Sequence, residues 1–215
     1  MHNLDFWHSH QLETAVQRPF ETFVLKSDFW EIYVPGNKKG LMRVNPLHIL
    51  ATERLLLRLF SAADAEFILE LVNEPSFIQN IGDRGVRTLE NARGYIMNGP
   101  VASYAKNGFG LFLVALKESN VSIGMCGLIK RDSLDDVDIG YAFLPKFWGK
   151  GYAVEAALAV KAYAKDAIGL KRIVAITDPA NEGSIRVLEK IGFRYERMAR
   201  LSADAIGLKL FGVDL

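Results

Sequence analysis

The stretch from Asp138 to Ala153 constrains this chain more than any other. Val137, Ile139, Tyr141 and Phe143 alternate with the period of a strand that Pro145 ends. Gly149 and Gly151 then bracket Lys150 just before an alanine-rich run, Ala153 to Ala167, with Gly169 placed to close it. A strand that turns through glycines into a helix offers unpaired backbone N–H groups and roughly half a unit of positive charge at the helix start. Such a loop suits a phosphate. Lys146 and Lys150 add charge beside it, and Trp148 could shield one flank. A plain structural turn with surface lysines has the same composition, so the loop by itself leaves both readings open. Two generic nucleotide patterns fail. Gly149-Lys150-Gly151 is followed by Tyr152 and lacks the earlier glycine of a Walker loop, and the third small residue of a dinucleotide fingerprint would fall on Val154.

The flanking sequence predicts a mixed α/β domain with one strand before the first helices. Leu55, Leu57 and Leu59 have a two-residue period, Ser61-Ala62-Ala63-Asp64 has capping-box spacing, and Ala65, Ile68, Leu69 and Val72 form a helical stripe ending before Pro75. A second helix is expected from Thr88. Phe109 to Leu116, Val121 to Lys130 and Val137 to Phe143 read as an antiparallel meander. After the alanine-rich helix come a strand at Lys171 to Thr177, a helix at Asn181 to Ile191 with Asn181 as N-cap and Gly192 beyond its end, a strand at Phe193 to Met198, and a short strand at Leu208 to Val213.

Residues 1–50 differ from the rest and are read as an extension to a domain at 51–215. They hold Trp7, Trp30 and several phenylalanines without sustained periodicity, a strand or two within Phe20 to Val34, and a turn signal at Pro35-Gly36-Asn37. An aromatic leader of this kind could pair two copies of the chain. His8-Ser9-His10 lacks a third metal ligand, and no metal is expected. With 26 basic and 25 acidic residues, bulk charge does not favour nucleic acid. The one cysteine, Cys126, excludes an intrachain disulfide framework and multi-cysteine metal sites; flanked by Met125 and Gly127, it reads as a buried, inert thiol. No run approaches the ~20 apolar residues that span a bilayer, and the N-terminus lacks a secretory signal, so a cytoplasmic protein with no membrane partner is expected.

Lys146-x-x-Gly149-x-Gly151 resembles the Arg/Gln-x-x-Gly-x-Gly/Ala loop of the GNAT superfamily of N-acetyltransferases, with lysine at the first position. Gly149 to Ala156 is similar to the branch of ribosomal-protein N-terminal acetyltransferases, the RimJ/RimL type. Thr52-Glu53-Arg54-Leu55-Leu56-Leu57-Arg58 resembles the opening strand of that branch, and Asn181 to Phe193 its late helix and following strand. Three ordered blocks thus span Thr52 to about Arg197, with residues 1–50 outside the pattern. The resemblance implies a mostly antiparallel central sheet of about six to seven strands, flanked by about four helices and splayed between the fourth and fifth strands.

It also implies acetyl-CoA as cosubstrate and an amine acceptor, either a peptide N-terminus or a small molecule, attacking the thioester directly. Backbone groups of Tyr141, Ala142, Phe143 and Leu144 would bond the pantetheine arm. Gly140 would mark a bulge or close backbone approach there, unless it only relieves crowding. The diphosphate would sit on amides from Gly149 through Lys150, Gly151 and Tyr152 to Ala153, next to Lys146. Asp138 resembles the carboxylate that relays the amine proton, with a surface aspartate in the run Asp132, Asp135, Asp136, Asp138 as the alternative. Ser184 matches the Asn-x-x-Ser block, whose hydroxyl lies near the CoA sulfur, and Asn181 would cap its helix and bond the pantetheine. Tyr195 reads as core. A non-catalytic CoA-binding module, or the same fold with a longer acyl donor, fits the same residues.

Overall fold

A computed structural model of the protein describes residues 30–33, 41–44, 50–202 and 207–215. The chain divides into two units, Met1–Asn45 and Pro46–Leu215. In the first, β1 (Trp30–Tyr33) pairs antiparallel with β2 (Leu41–Val44) in the register Trp30↔Val44 to Tyr33↔Leu41. β1 falls within the stretch read as strand, and β2 was not anticipated. His8, His10 and the Pro35-Gly36-Asn37 turn lie outside the described residues.

The second unit is built on one eight-stranded sheet. Its strands are β3 (Leu50–Ala51), β4 (Leu55–Arg58), β5 (Leu111–Leu116), β6 (Ser122–Ile129), β7 (Asp138–Phe143), β8 (Arg172–Thr177), β9 (Arg194–Ala199) and β10 (Leu208–Asp214), in the spatial order β3-β4-β5-β6-β7-β8-β10-β9. All neighbours are antiparallel except β7 and β8, which are parallel. The strand beyond those expected is β3, two residues long. Parallel neighbours need a crossover, and α5 (Tyr152–Asp166) supplies it.

Alternation sorts the sheet into two apolar faces. Ile139, Phe143, Leu55 and Leu57 join Ala156, Ala157 and Val160 of α5 and Leu188 of α6 (Glu182–Lys190) on one side. Leu113, Ala115, Met125, Ala142 and Leu144 meet α1 (Ala65–Asn73), α2 (Pro75–Ile81) and α3 (Leu89–Ile96) on the other. Leu71 rather than Leu69 completes the buried stripe of α1. Asp64 accepts from the Ser61 amide at 2.8 Å, as the capping spacing predicts, and is also gripped by Arg58 at 2.8 and 2.6 Å.

Six α-helices are described where about four were expected. Pro75 does end α1, but it also starts α2, because its missing N–H costs nothing at a first helical position. α3 continues through a π-helical turn, Met97–Val101, that holds Pro100 and leads into α4 (Ala102–Asn107). Tyr195 is not core. It is 53% exposed on edge strand β9 and meets Phe211 edge-on at 5.8 Å. No described helix is long and apolar enough to cross a membrane.

Gly140 sits in an unbroken β6–β7 register, opposite Gly127, so there is no bulge at that position. A Cβ on Gly140 would lie 2.7 Å from Ile129 Cδ1, which is the crowding alternative. The tighter approach is at Gly127, where a Cβ would overlap the Gly110 carbonyl oxygen and lie 2.6 Å from Leu111 Cα.

The opening strand is clamped to the first turn of α5 by Glu155. Its Oε1 accepts from Thr52 Oγ1 at 2.6 Å and from the Arg54 amide at 2.9 Å, while Oε2 accepts from Arg54 Nε at 2.7 Å. Arg54 also donates to the Lys150 carbonyl at 3.0 Å and lies 4.7 Å from the centre of the Tyr152 ring. Partial burial works against the charged carboxylate, but the hydrogen bonds from Thr52 and Arg54 outweigh it and hold Glu155 below the usual glutamate range.

Two stability measurements follow from these contacts. Gly127→Ala should cost about 1–3 kcal/mol in urea unfolding, since backbone cannot yield as a side-chain tip can, and Gly140→Ala should cost less. Glu155→Gln should lower the melting temperature at pH 7, and the difference from wild type should shrink as pH falls below 4.5, where the native carboxylate takes up its proton.

Candidate active site

β7 and β8 pair at a single position, Asp138↔Val174, where the Val174 amide donates to the Val137 carbonyl at 2.9 Å. Beyond that rung the two strands have no further paired position. Backbone polar groups alternate sides along a strand. The Leu144 amide donates to Ile123 of β6 at 3.0 Å, so Ala142 and Leu144 turn their main chain toward β6. Tyr141 and Phe143 turn theirs toward the opening. Of the four residues expected along a pantetheine arm, two therefore face the gap and two belong to the β6 ladder. The Trp148 indole N–H already donates to the Phe143 carbonyl at 2.7 Å.

The turn leaves β7 at buried Leu144, passes through a 3-10 turn at Pro145–Phe147, and enters α5 at Tyr152. Gly149 and Gly151 have φ of 73° and 82°, left-handed values that favour glycine. Gly149, Lys150 and Gly151 are exposed, and a Cβ on Gly149 would meet nothing within 4 Å. No side chain caps α5, so its first amides, including those of Tyr152 and Ala153, have no intrahelical acceptor and no capping group. Lys146 Nζ pairs with Glu70 Oε1 on α1 at 2.9 Å, with both side chains exposed. Lys150 Nζ is 5.5 Å from the centre of the Phe147 ring. Trp148 is 53% exposed at the edge of the turn.

Asp138 stands at the rung where the strands part. It is 1% exposed, so it is not a surface member of the acidic run. Burial pushes its carboxyl up to about 6, against the opposing pull of the Arg131 guanidinium, whose Nε donates to Oδ2 at 2.6 Å. Oδ1 has no hydrogen-bond partner.

On the other face of β7, the Tyr141 hydroxyl lies 3.0 Å from Ser184 Oγ and donates to the Ser184 carbonyl at 3.1 Å. Ser184 is in the first turn of α6, and its amide donates to Asn181 Oδ1 at 3.0 Å, the expected cap. Burial raises the Tyr141 phenol above its ordinary value and keeps it neutral. Cys126, opposite Tyr141 on β6, is fully buried and its thiol is likewise pushed up, as an inert core residue should be. The described residues contain no cluster of metal-ligating side chains.

Asp138 and Ser184 therefore sit on opposite faces of the strand that borders the gap. Sequence reading missed the Tyr141 side chain, the Arg131 partner and the Glu155 clamp. Tyr141 had been singled out only for its backbone, and no local spacing links a strand residue to a helix start more than forty positions later.

Residues 54–194 match the acetyltransferase (GNAT) domain family. The uncharacterized N-acetyltransferase YnaD of Bacillus subtilis (strain 168) is 33% identical over 150 residues, which is 70% of this chain and 84% of that protein. A GNAT-family acetyltransferase of Bacillus anthracis superposes with a TM-score of 0.65 at 30% identity, covering 77% of this chain and 97% of its own. The ribosomal L7/L12 α-N-protein acetyltransferase RimL, solved with coenzyme A, gives a TM-score of 0.67 over 78% of this chain and 98% of its own; at 18% identity this is a likeness of fold. The matched span takes in the opening strand, the glycine turn and the Asn181–Ser184 helix start, and on these grounds the chain belongs to the GNAT family of acetyltransferases.

Proposed function

We propose that this chain is an N-acetyltransferase that moves an acetyl group from acetyl-CoA to a primary amine, either a protein N-terminal α-amine or a small-molecule amine, by direct attack. The observation that carries the reading is the gap after a single β7–β8 rung, with the Asp138 carboxyl on one face and the Tyr141–Ser184 pair on the other. The residues present fit the cosubstrate. Uncapped amides from Gly149 to Ala153 suit a diphosphate, Lys150 adds charge beside it, and the main chain of Tyr141 and Phe143 suits an amide-bearing arm. Asn181 would contribute the rest of its carboxamide. The coenzyme A in the RimL structure supports the same choice.

When bound, acetyl-CoA supplies a thioester carbonyl that forms a C–N bond with the amine as its C–S bond breaks. Asp138 would receive the proton the amine loses through a relay, since Oδ1 itself has no open surface. A carboxyl near 6 is a serviceable base for an α-amine of pKa about 8 and a poorer one for a lysine of about 10.4. Ser184, tied to the Tyr141 hydroxyl, would give a proton to the departing sulfur. The chain otherwise positions the reactants, which accounts for a large part of such rate enhancements.

Titration with acetyl-CoA, followed by thiol release over a panel of amines and peptides, tests the reading. Turnover with at least one amine is expected. Binding without turnover across the panel would favour a non-catalytic CoA-binding module, and faster turnover with a longer acyl-CoA would replace the donor. Ser184→Ala should lower kcat by about tenfold or more and leave acetyl-CoA affinity nearly unchanged. Lys150→Glu should weaken acetyl-CoA binding by about tenfold, roughly 1.4 kcal/mol, without altering the melting temperature. The acid limb of kcat should fall near pH 6 and disappear, with most of the activity, in Asp138→Asn.

A further inference from the structure

We infer that Arg131 is the positioning residue of this site: it fixes one oxygen of Asp138 and leaves the other free to receive a proton relayed from the acceptor. The inference rests on the acetyl transfer proposed above and adds a residue to it. Three observations converge. Asp138 Oδ2 is held by Arg131 Nε at 2.6 Å, while Oδ1 alone, among buried side-chain polar atoms of the described residues, lacks a partner. A buried oxygen without a partner is costly, and such exceptions are rare enough to call for a reason. An atom that takes up the acceptor's proton through a relay, without itself touching the acceptor, supplies one.

The second observation is how Arg131 is presented. It lies in the connection between β6 and β7, and that connection is braced from within. Lys130 Nζ donates to the carbonyls of Leu134 at 3.1 Å and Asp135 at 2.8 Å, and the Leu134 amide donates to the Arg131 carbonyl at 3.3 Å. Asp136 is held by Arg172 of β8 at 3.0 Å, and Leu134 is buried. The guanidinium is thus delivered by a fixed bracket rather than by a free surface side chain.

The third is the mixed character of the pair. The Arg131 side chain is 29% exposed and its partner 1%, so one end of the ion pair meets solvent and the other does not. The groups acting on the carboxyl are few. Arg131 comes from the connection, and the Ile176 amide faces the carboxyl from β8, near enough to favour the anion but outside hydrogen-bond geometry with Oδ1. Arg131 is the one full charge among them. Without it, the aspartate would keep its proton to higher pH and its side chain would lose its orientation.

The experiment uses the full chain with Arg131→Met, Arg131→Gln and Arg131→Lys, and Asp138→Asn as the control. Asp138 is followed by its carboxyl ¹³C resonance, and kcat is measured across pH with an amine accepted by the wild type. In Arg131→Met and Arg131→Gln the carboxyl should titrate about one unit higher or more, a tenfold change in proton affinity, and the acid limb of kcat should move with it. KM for acetyl-CoA should stay within about twofold, and Arg131→Lys should restore most of the limb. A carboxyl that titrates unmoved in both neutral variants overturns the role of Arg131, as does a moved titration with an unmoved limb. Full activity in Asp138→Asn overturns the base itself, and with it this inference, and is told apart because the ¹³C titration is read without turnover. Failure of Arg131→Met to fold leaves Arg131→Gln to give the same readings.

Discussion

Two strands that run parallel and part after one rung leave main-chain donors and acceptors without a sheet neighbour, and such groups cost about a kcal/mol or more each when they find neither water nor a partner. In this chain the parting strands are β7 and β8, each fully paired on its outer edge, β7 with β6 and β8 with β10. The sheet is thus two antiparallel halves joined at Asp138↔Val174. α5 makes the join possible, because it carries the chain from the end of one half to the start of the other. Its uncapped start lies next to the edge that the parting exposes. A single topological constraint therefore gives both an unpaired strand edge and a cluster of free amides.

The electrostatics follow from the same point. Asp138 lies on the single rung, and its side chain is almost wholly out of water. Asp138 shows the balance: desolvation is the largest influence and drives the carboxyl toward neutrality, and the Arg131 contact recovers part of the ionised form. Glu155 shows the opposite outcome. Its environment is wetter and its donors more numerous, so hydrogen bonding wins. Two carboxylates in one fold are thereby given different ranges of action, one fixed as an anion that ties strand to helix, the other able to change charge near neutrality.

Much of this was legible in the sequence where a local rule applies. Leu55 and Leu57 have a period of two and are both fully buried; Asn181 is spaced to cap and does so; Cys126 reads as core and is core. Gly149 and Gly151 have the positive φ that a glycine turn implies. Reading failed where a residue serves two neighbours or a distant one. Pro75 stops one helix and starts another, Gly140 follows the crowding alternative and makes room for Ile129 rather than marking a bulge, and Tyr195 carries a strand pattern on the edge strand of the described sheet. The contacts between Glu155 and Thr52 or Arg54 join residues a hundred positions apart, and no periodicity encodes them. Lys146, expected at the diphosphate by its place in the motif, pairs on the surface with Glu70 of α1, a contact the motif does not encode.

Trp148 gives the turn an optical signal. Its half-exposed ring lies beside the glycines, with its N–H tied to the strand edge. Indole emission responds to the polarity around the ring, so a molecule settling onto the turn would change the colour or yield of this fluorophore. The other two tryptophans, Trp7 and Trp30, belong to the first unit. With both replaced by phenylalanine, the chain would report occupancy of its own loop without a label.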